Sequence, residues 1–326
     1  MAMKVPPRTG DFPTFIDSTM RSALTSCETK WYWNWIRRFQ PAETSPDLHA
    51  GGAFASGLET ARKDFYLQGK SQEDSILSGA EEVMRYWGNY EPPEGHVKQM
   101  HVVLGLLEDY FREYPMDTDF IQPYRDANGR PAVEFTFAIP IPGTKHPVTN
   151  EPILYKGRFD LIGQYNGMLF VVDEKTTKQL GATWSQQWDL RAQFIGYVWA
   201  ARILGNIPVV GAIVRGCGLY KTEPFYRYAQ AIVYIDDWMI ERWLLDLQLD
   251  ILAAVAAWES GMYRQDYDHA CTAYSGCENR TLCKSQNPES WVGNYYIRNN
   301  WDPTAKNPEE SKDGTDDSPT QGILSV

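Results

Sequence analysis

The sequence has no hydrophobic run long enough to cross a membrane, and it has few cysteines for its length. Its most apolar segment, 244–258, is interrupted by Asp246 and Asp250, whereas a membrane helix needs about 18 or more apolar residues. The first dozen residues contain no apolar stretch like that of a secretory signal peptide. The five cysteines are an odd number, and a chain of 326 residues does not need disulfide bonds to fold. We therefore expect a cytoplasmic protein without membrane contact, whose thiols are free or bound to metal.

Positive charge is also scarce. Lysine and arginine total 31 against 42 aspartates and glutamates, which gives a formal net charge of -11. A protein that coats nucleic acid non-specifically needs a basic face for the phosphates, so the composition argues against that class. Nucleic-acid contact confined to one cleft is still allowed, because net charge does not describe a single site. Part of the acidity lies in the polar segment 302–326, which we expect to be a disordered acidic tail.

Hydrophobic periodicity predicts a helical first part followed by a mixed α/β part. We expect an irregular N-terminus over 1–13 and a single domain over 14–300. That domain comprises a helical part at 14–115, a mixed α/β core at 130–260 and a cysteine-rich segment at 265–285. Helices are predicted from Asp17 or Ser18 to Phe39 and at 53–67, 72–87, 96–114, 186–204 and 236–261, with a loop at 40–52. Strands are predicted at 131–139, 154–165, 168–176, 209–220 and 226–235.

The dipeptide Asn166-Gly167 lies between two apolar runs and is the strongest short signal for a two-residue β-hairpin. Counting outward from that loop, Asp160 faces Asp173 and Arg158 faces Lys175. Cross-strand partners, and residues two apart on one strand, project from the same face of a sheet. These four charged side chains are therefore expected to form one patch.

Two carboxylates directly opposite each other repel, so a positive group is expected between them. A divalent cation with oxygen ligands is one candidate, with Mg²⁺ the first choice. Lys175 would then stand beside the ion, where it orients a water or stabilises developing negative charge. The alternative is an exposed face with two salt bridges, Asp160 with Arg158 and Asp173 with Lys175. The pattern alone leaves both open.

The segment Gly157-Arg158-Phe159-Asp160 is followed, about a dozen residues later, by Asp173-Glu174-Lys175. This pattern resembles the signature of the PD-(D/E)XK nuclease superfamily, in its RecB-like branch. The resemblance implies a restriction-endonuclease-like core, in which helices flank a central mixed β-sheet, with a helical N-terminal region and a cysteine-rich C-terminal segment. It also implies that Asp160 and Asp173 ligate Mg²⁺ or Mn²⁺, that the backbone carbonyl of Glu174 is a further ligand, and that Lys175 is catalytic.

Gln193 and Tyr197 match the Q-x-x-x-Y motif of the same branch, on the next predicted helix. Positions i and i+4 share one helix face, so the resemblance implies that both side chains reach the cleft and contact DNA.

The upstream family motif is matched only in part. It consists of a glycine, a histidine four residues on and often a glutamate four further. Gly51 and Glu59 fit, but Ala55 stands where the family has its metal-binding histidine. This difference implies fewer protein ligands or weakened catalysis. Glu59 is either a further ligand or a solvated helix residue, and Glu134 is another candidate cleft carboxylate.

Four of the five cysteines form a second candidate site. Cys271, Cys277 and Cys283 lie close together near the end of the predicted fold, and Cys27 lies on the first helix. Four thiolates suit Zn²⁺ or an iron–sulfur cluster. The layout resembles a subset of RecB-like nucleases in which such cysteines bind a 4Fe–4S cluster, and that resemblance favours iron over zinc and implies a structural role. Cys217, on an apolar strand, is expected to be a core thiol.

The resemblance implies a Mg²⁺- or Mn²⁺-dependent DNA exonuclease of recombination, repair, or phage or CRISPR-associated DNA processing. Its substrate would be DNA with a free end or a single strand, in the bacterial cytoplasm or, for a phage protein, the host cytoplasm. A recombination protein or a second copy of the chain would be a partner. Arg158 is a candidate DNA contact, and Trp184 and Trp188 would either stack on unpaired bases or belong to the core. The alternative, suggested by Ala55, is a catalytically weakened DNA-binding or scaffolding module of the same fold.

Overall fold

The computed structural model describes residues 10–273 and 276–305. Helices flank a central mixed β-sheet, which confirms the predicted α/β fold class. The helices are α1 (Ser18–Ser26), α2 (Glu28–Trp31), α3 (Pro46–Gln68), α4 (Gln72–Trp87), α5 (Met100–Glu113), α6 (Ala192–Gly205), α7 (Asp237–Ser260) and α8 (Arg280–Lys284). The strands are β1 (Phe15–Ile16), β2 (Phe39–Pro41), β3 (Gln122–Pro123), β4 (Val133–Pro140), β5 (Leu154–Tyr165), β6 (Met168–Thr177), β7 (Val209–Leu219), β8 (Tyr226–Tyr234) and β9 (Tyr296–Arg298).

Two sequence predictions fall partly outside the described residues: the irregular N-terminus up to residue 9, and the acidic tail from residue 306 onward. Within the described part of the chain, every helix is too short or too polar to cross a membrane.

The described chain divides into two compact units, each built from separate segments. The core unit contains Thr44–Thr136 and Arg158–Ile240. The terminal unit contains residues 10–43, Phe137–Gly157 and residues 241–305. The single domain expected over 14–300 stays a prediction.

In the core unit, the sheet is built around β6. This strand lies antiparallel to β5 and parallel to β7, and β7 is antiparallel to β8. Helices α3 and α6 pack on β6, and α5 and α6 pack on β7. A strand covered on both faces is apolar on both, and Val171, Val172 and Ile213 are fully buried. The polar residues that interrupt β6 near its C-terminal end therefore need specific partners.

The terminal unit is held by short strand pairs and aromatic packing. β1 pairs in parallel with the first residues of β5, and β2 pairs antiparallel with β9. A small cluster of Trp33, Phe39, Leu282 and Tyr296 forms one of its cores. Asp17 caps α1 by accepting a hydrogen bond from the Met20 amide at 2.7 Å, as N-cap residues do.

The predicted continuous first helix is wrong. The chain is extended at Cys27 (φ -167°), between α1 and α2, and a π-helical turn follows at Tyr32–Ile36. The Thr29 amide donates to the carbonyl of Arg264 at 3.0 Å. In a continuous helix that amide would bond to the carbonyl four residues earlier. A distant segment of the chain therefore takes this hydrogen bond and interrupts the helix beside a cysteine.

Three helix starts also differ from the predictions, and one of them is α5, which begins at Met100 rather than at His96. The loop expected at 40–52 contains the start of α3, because Ser45 caps the helix and Pro46 occupies its first position. Proline is favoured there, since the first helical amide has no partner within the helix. The helix predicted from Gln186 begins only at Ala192, after a 3₁₀ turn at Ser185–Trp188.

Candidate functional site

The hairpin between β5 and β6 carries Asp160 and Asp173 immediately beyond its last paired residues. Asn166 and Gly167 have positive φ values of 50° and 78°, as a type I′ turn requires. The ladder confirms the predicted register from this turn to the pair Leu161↔Val172. Asp160 and Asp173 are the next residue on each strand, and we call them the aspartate pair.

The pKa values of the aspartate pair reflect burial and neighbouring charges. Burial, followed by the charges of Asp173 and Glu174, raises the pKa of Asp160 to about 7. Burial also raises the pKa of Asp173, although Lys175 opposes that shift. Two carboxylates that each resist ionisation in this way are suited to a cation between them.

Lys175 lies against one member of the aspartate pair. Its Nζ is 3.0 Å from Oδ1 of Asp173 and 2.8 Å from Oδ2. Burial alone would lower the pKa of this ammonium, but the charge of Asp173, their hydrogen bond and the charge of Asp160 raise it. Lys175 is therefore a charged donor. Oδ2 of Asp173 is buried against the Lys175 ammonium, and a carboxylate oxygen with one such contact keeps a lone pair available to a metal ion.

Helix α6 brings Gln193 to the same carboxylate. The Gln193 side-chain amide donates to Oδ1 of Asp173 at 3.2 Å. Tyr197, one turn further, packs edge-on against Phe159 with ring centroids 5.4 Å apart. The Q-x-x-x-Y motif therefore lies beside the aspartate pair.

Helix α3 contributes Glu59. This carboxylate is buried, with Oε1 at 2.5 Å from Nζ of Lys63 and Oε2 at 3.0 Å from Nη1 of Arg158. Arg158 lies two residues before Asp160 on β5. Burial would lower the pKa of its guanidinium, but the charges of Glu59, Glu134 and Asp160 raise it, so Arg158 stays charged. One turn before Glu59, Ala55 is exposed.

Glu134 lies on β4 with a positive φ of 50°, which is uncommon for a residue other than glycine. Its side chain is buried, 3.7 Å from Nη1 of Arg62. Burial, and then the charges of Asp160 and Glu59, raise the pKa of Glu134 well above its usual value. Glu134 is therefore a further buried carboxyl group under the influence of Asp160 and Glu59, and Arg62 already gives it a cationic partner.

The side chain of Glu174 belongs to a buried network that the sequence analysis missed. Its oxygens accept hydrogen bonds from Nη1 and Nη2 of Arg62 at 3.1 and 2.5 Å, and from the Tyr110 hydroxyl at 2.7 Å. Arg215 donates to the same hydroxyl at 3.2 Å and is ion-paired with Asp119 at 2.7 Å. These contacts hold the residue between Asp173 and Lys175. In the sequence, the residue that could have indicated this network was Arg62, which lies three residues after Glu59 on the same helix.

Trp184 and Trp188 are each 7% exposed and pack edge to face with ring centroids 5.5 Å apart. Trp184 also lies against Gly216. Rings this buried present little surface to a base, so the structure places both tryptophans in the core.

In the terminal unit, Cys27, Cys271, Cys277 and Cys283 all line one cavity of about 130 Å³. All four thiols are free, and none forms a disulfide. Burial raises the pKa of Cys277 and of Cys283. The cavity has room for more than one water-sized group. Cys217 is fully buried in the core unit, as expected.

Neither set of residues is a completed metal centre. Among residues 10–273 and 276–305, no three His, Cys, Asp or Glu side chains lie together in a group that could hold a metal ion. The donor types fit nevertheless. Carboxylate oxygens suit a hard divalent cation, and four thiols around one cavity suit zinc or an iron–sulfur cluster.

Comparison with known proteins identifies the family. The family model of the PD-(D/E)XK nuclease superfamily matches residues 19–284. A candidate exonuclease from Eubacterium rectale has a similar structure, with a TM-score of 0.45 and 12% identity, over 79% of this chain and 86% of that one. SSO0001 is similar with a TM-score of 0.26 and 15% identity, over 61% of this chain and 74% of that one. No curated protein matches the sequence.

The family match spans most of the chain, and it includes both arms of the hairpin that carries Asp160 and Asp173. This chain belongs to the PD-(D/E)XK nuclease superfamily.

Proposed function

We propose that the protein is a divalent-metal-dependent exonuclease that hydrolyses phosphodiester bonds of DNA at the aspartate pair. One observation carries the proposal: two carboxylates on adjacent strands, Asp160 and Asp173, each with a pKa raised by burial, lie with an ammonium group, Lys175, which is ion-paired with Asp173 at 2.8 Å. Oxygen ligands of this kind suit Mg²⁺ or Mn²⁺. Membership of a nuclease superfamily supports the same chemistry.

The residues around the aspartate pair have different roles in the proposed reaction. Asp160, Asp173 and the carbonyl of Glu174 would hold the cation. When bound, the cation supplies positive charge next to the phosphate and lowers the pKa of a water molecule. Lys175 donates hydrogen bonds from beside Asp173, so it orients the water and stabilises negative charge on the phosphate. Gln193 fixes the orientation of Asp173 through its amide. Tyr197, on the same helix face, contacts the DNA strand.

A nuclease assay on end-labelled linear DNA with Mg²⁺ tests the proposal. Wild type should release labelled nucleotide, and Asp160→Asn and Lys175→Met should each lower the rate by about 100-fold or more, the usual cost of removing one stabilising group. Lys178→Met is the matched control, because Lys178 lies just beyond β6 and its partner is Asp47. It should keep the wild-type rate, and a chelator should abolish cleavage. Equal rates for wild type and the two site variants would refute the proposal.

We propose DNA with a free end as the substrate, as expected of an enzyme of recombination, repair, or phage or CRISPR-associated processing. Closed circular DNA of the same sequence should then resist digestion. Rapid nicking of the circle would identify an endonuclease instead. The protein would act in the cytoplasm, with a recombination protein or a second copy of the chain as partner.

A DNA-binding or scaffolding module is the second candidate. The exposed methyl group of Ala55 favours it, because no ligand stands at that position of α3. It predicts that wild type shifts end-labelled DNA in a gel yet leaves the DNA intact with either Mg²⁺ or Mn²⁺.

We also propose that Cys27, Cys271, Cys277 and Cys283 bind a 4Fe–4S cluster with a structural role. The support is the shared cavity lined by all four thiols. Anaerobically purified wild type should be brown, with about four iron and four sulfide ions per chain. Cys283→Ser should lose most of the iron, and Cys217→Ala, a change outside the cavity, should keep it. Zinc in place of iron would refute the cluster.

A further inference from the structure

Both oxygens of Glu59 already have cationic partners. Oε1 lies 2.5 Å from the ammonium of Lys63, and Oε2 lies 3.0 Å from the guanidinium of Arg158. The side chain is only 3% exposed. A carboxylate paired with two cations has little negative charge left to attract a metal ion. Glu59 is thus withdrawn from metal ligation, although it lies on the helix that faces the site.

Neither of the other two candidate positions, Ala55 and Glu134, offers a free ligand for a second metal ion. Ala55, one turn before Glu59, has no donor atom. Glu134 is buried and lies 3.7 Å from Nη1 of Arg62, so it already faces a cation. Throughout the described ranges, 10–273 and 276–305, no third carboxylate, histidine or cysteine joins a pair to make a metal-binding group. The aspartate pair is therefore the set of side chains that remains for a cation.

Arg158 places a permanent charge next to this pair. It lies two residues before Asp160 on β5, so the two side chains leave the same face of the strand. A guanidinium stays ionised and has five N–H donors, of which the contact with Glu59 uses one on Nη1. Its planar fork matches the oxygens of a phosphate group. Arg158 can therefore provide at this position the charge that a second cation would provide.

We propose that the Glu59–Arg158 ion pair takes the place of a second metal position, so that the site binds one divalent cation at Asp160 and Asp173 and Arg158 neutralises negative charge on the scissile phosphate. The inference rests on the proposed nuclease function and specifies its metal stoichiometry. Arg158 becomes a phosphate-binding residue, and Glu59 becomes the residue that positions it.

Titration with Mn²⁺, followed by the electron paramagnetic resonance of the free ion, measures the stoichiometry without any turnover. The double variant Asp160→Asn/Asp173→Asn gives the baseline from other sites. Wild type should bind one Mn²⁺ per chain above that baseline. Two ions above the baseline would overturn the inference while leaving the nuclease proposal intact. No ion above the baseline, together with cleavage that resists a chelator, would instead overturn the proposed metal dependence and the inference with it.

Variants of Arg158 test the replacement directly. Arg158→Met frees Oε2 of Glu59, so a second, weaker Mn²⁺ should bind, and the KM for DNA should rise about 10-fold or more. Arg158→Lys keeps a charge at the position and should still bind one ion. Arg112→Met, at an exposed arginine on α5, is the control and should change neither value. Thermal melting of each variant confirms that it is folded. A folded Arg158→Met that binds one ion with an unchanged KM would overturn the role of Arg158.

Discussion

Glu174 shows how one residue between two site residues fixes both. Its side chain is bonded to Arg62 and Tyr110 beneath the sheet. Because side chains alternate along a strand, this anchor directs Asp173 and Lys175 to the opposite face. The pKa of Glu174 is low despite burial, because Arg62 and then Arg215 favour its charged form. The ion pair between Glu174 and Arg62 therefore orients Asp173 and Lys175 from the opposite face of the strand.

Glu174→Gln should therefore destabilise the protein strongly. Removing one partner of a buried ion pair leaves the other charge without compensation, at a cost of about 3 kcal/mol or more in the free energy of unfolding. Glu108→Gln is the matched control, because Glu108 is ion-paired with Arg112 on an exposed face, where such pairs contribute about 0.5 kcal/mol. Urea unfolding of the two variants measures the difference, and equal losses would contradict a structural role for the network.

Asp17 makes stability depend on pH. Burial raises its pKa from 3.8 to about 6, against hydrogen bonds from the Met20 amide and Trp301. The folded state therefore holds a proton that the unfolded state has already released. As pH rises from about 4 to 6 the free energy of unfolding falls, by up to about 3 kcal/mol from this group.

Asp17→Asn removes the titration while keeping a capping oxygen. The difference in free energy of unfolding between Asp17→Asn and wild type should grow from pH 4 to pH 6 and then level off. Urea titrations at a series of pH values measure it. A constant difference across that range would show that Asp17 titrates normally in the folded protein.

At the scale of elements, the β5–β6 hairpin aligns the aspartate pair. Its turn places two successive residues in the left-handed region, where a side chain is costly to all but glycine and asparagine. Gly167→Ala should lower the free energy of unfolding by about 1 kcal/mol. Gly181→Ala is the control, because Gly181 has no positive φ and no close neighbour, and its effect should stay within about 0.5 kcal/mol. A larger loss at position 181 would contradict the assignment of strain to the turn.

The elements also show which parts of the fold the sequence could predict. The hairpin and its register follow from local chemistry, since Asn-Gly specifies the turn and the turn specifies the pairs. The break at Cys27 does not, because the carbonyl of Arg264 that causes it belongs to a distant segment. The same reason hid the network around Glu174, whose partners lie on α3 and α5. Motif spacing indicated the residues near Asp173, but long-range side-chain pairing is visible only in the folded chain.

At the scale of the whole molecule, the two candidate metal centres belong to different units. The aspartate pair lies in the core unit, and the four cysteines lie in the terminal unit. Removing iron by a chelator should therefore lower the stability of the terminal unit, since metal binding contributes to the folding of the segments it joins. Hydrogen exchange should show amides of α2 and α8 losing protection while those of β6 and β7 keep theirs. Equal loss in both units would contradict this separation.

The segment order of the units has a consequence for biosynthesis. Both described segments of the core unit have been translated once Ile240 has been added, whereas the terminal unit still lacks residues 241–305 at that moment. Domains fold as units while synthesis proceeds from the N-terminus. The hairpin with the aspartate pair can thus form on the ribosome before Cys271, Cys277 and Cys283, which line the same cavity as Cys27, have been translated. Binding of the proposed cluster would then follow folding of the hairpin, and cells short of iron should accumulate chains that are folded around the hairpin but incomplete in the terminal unit.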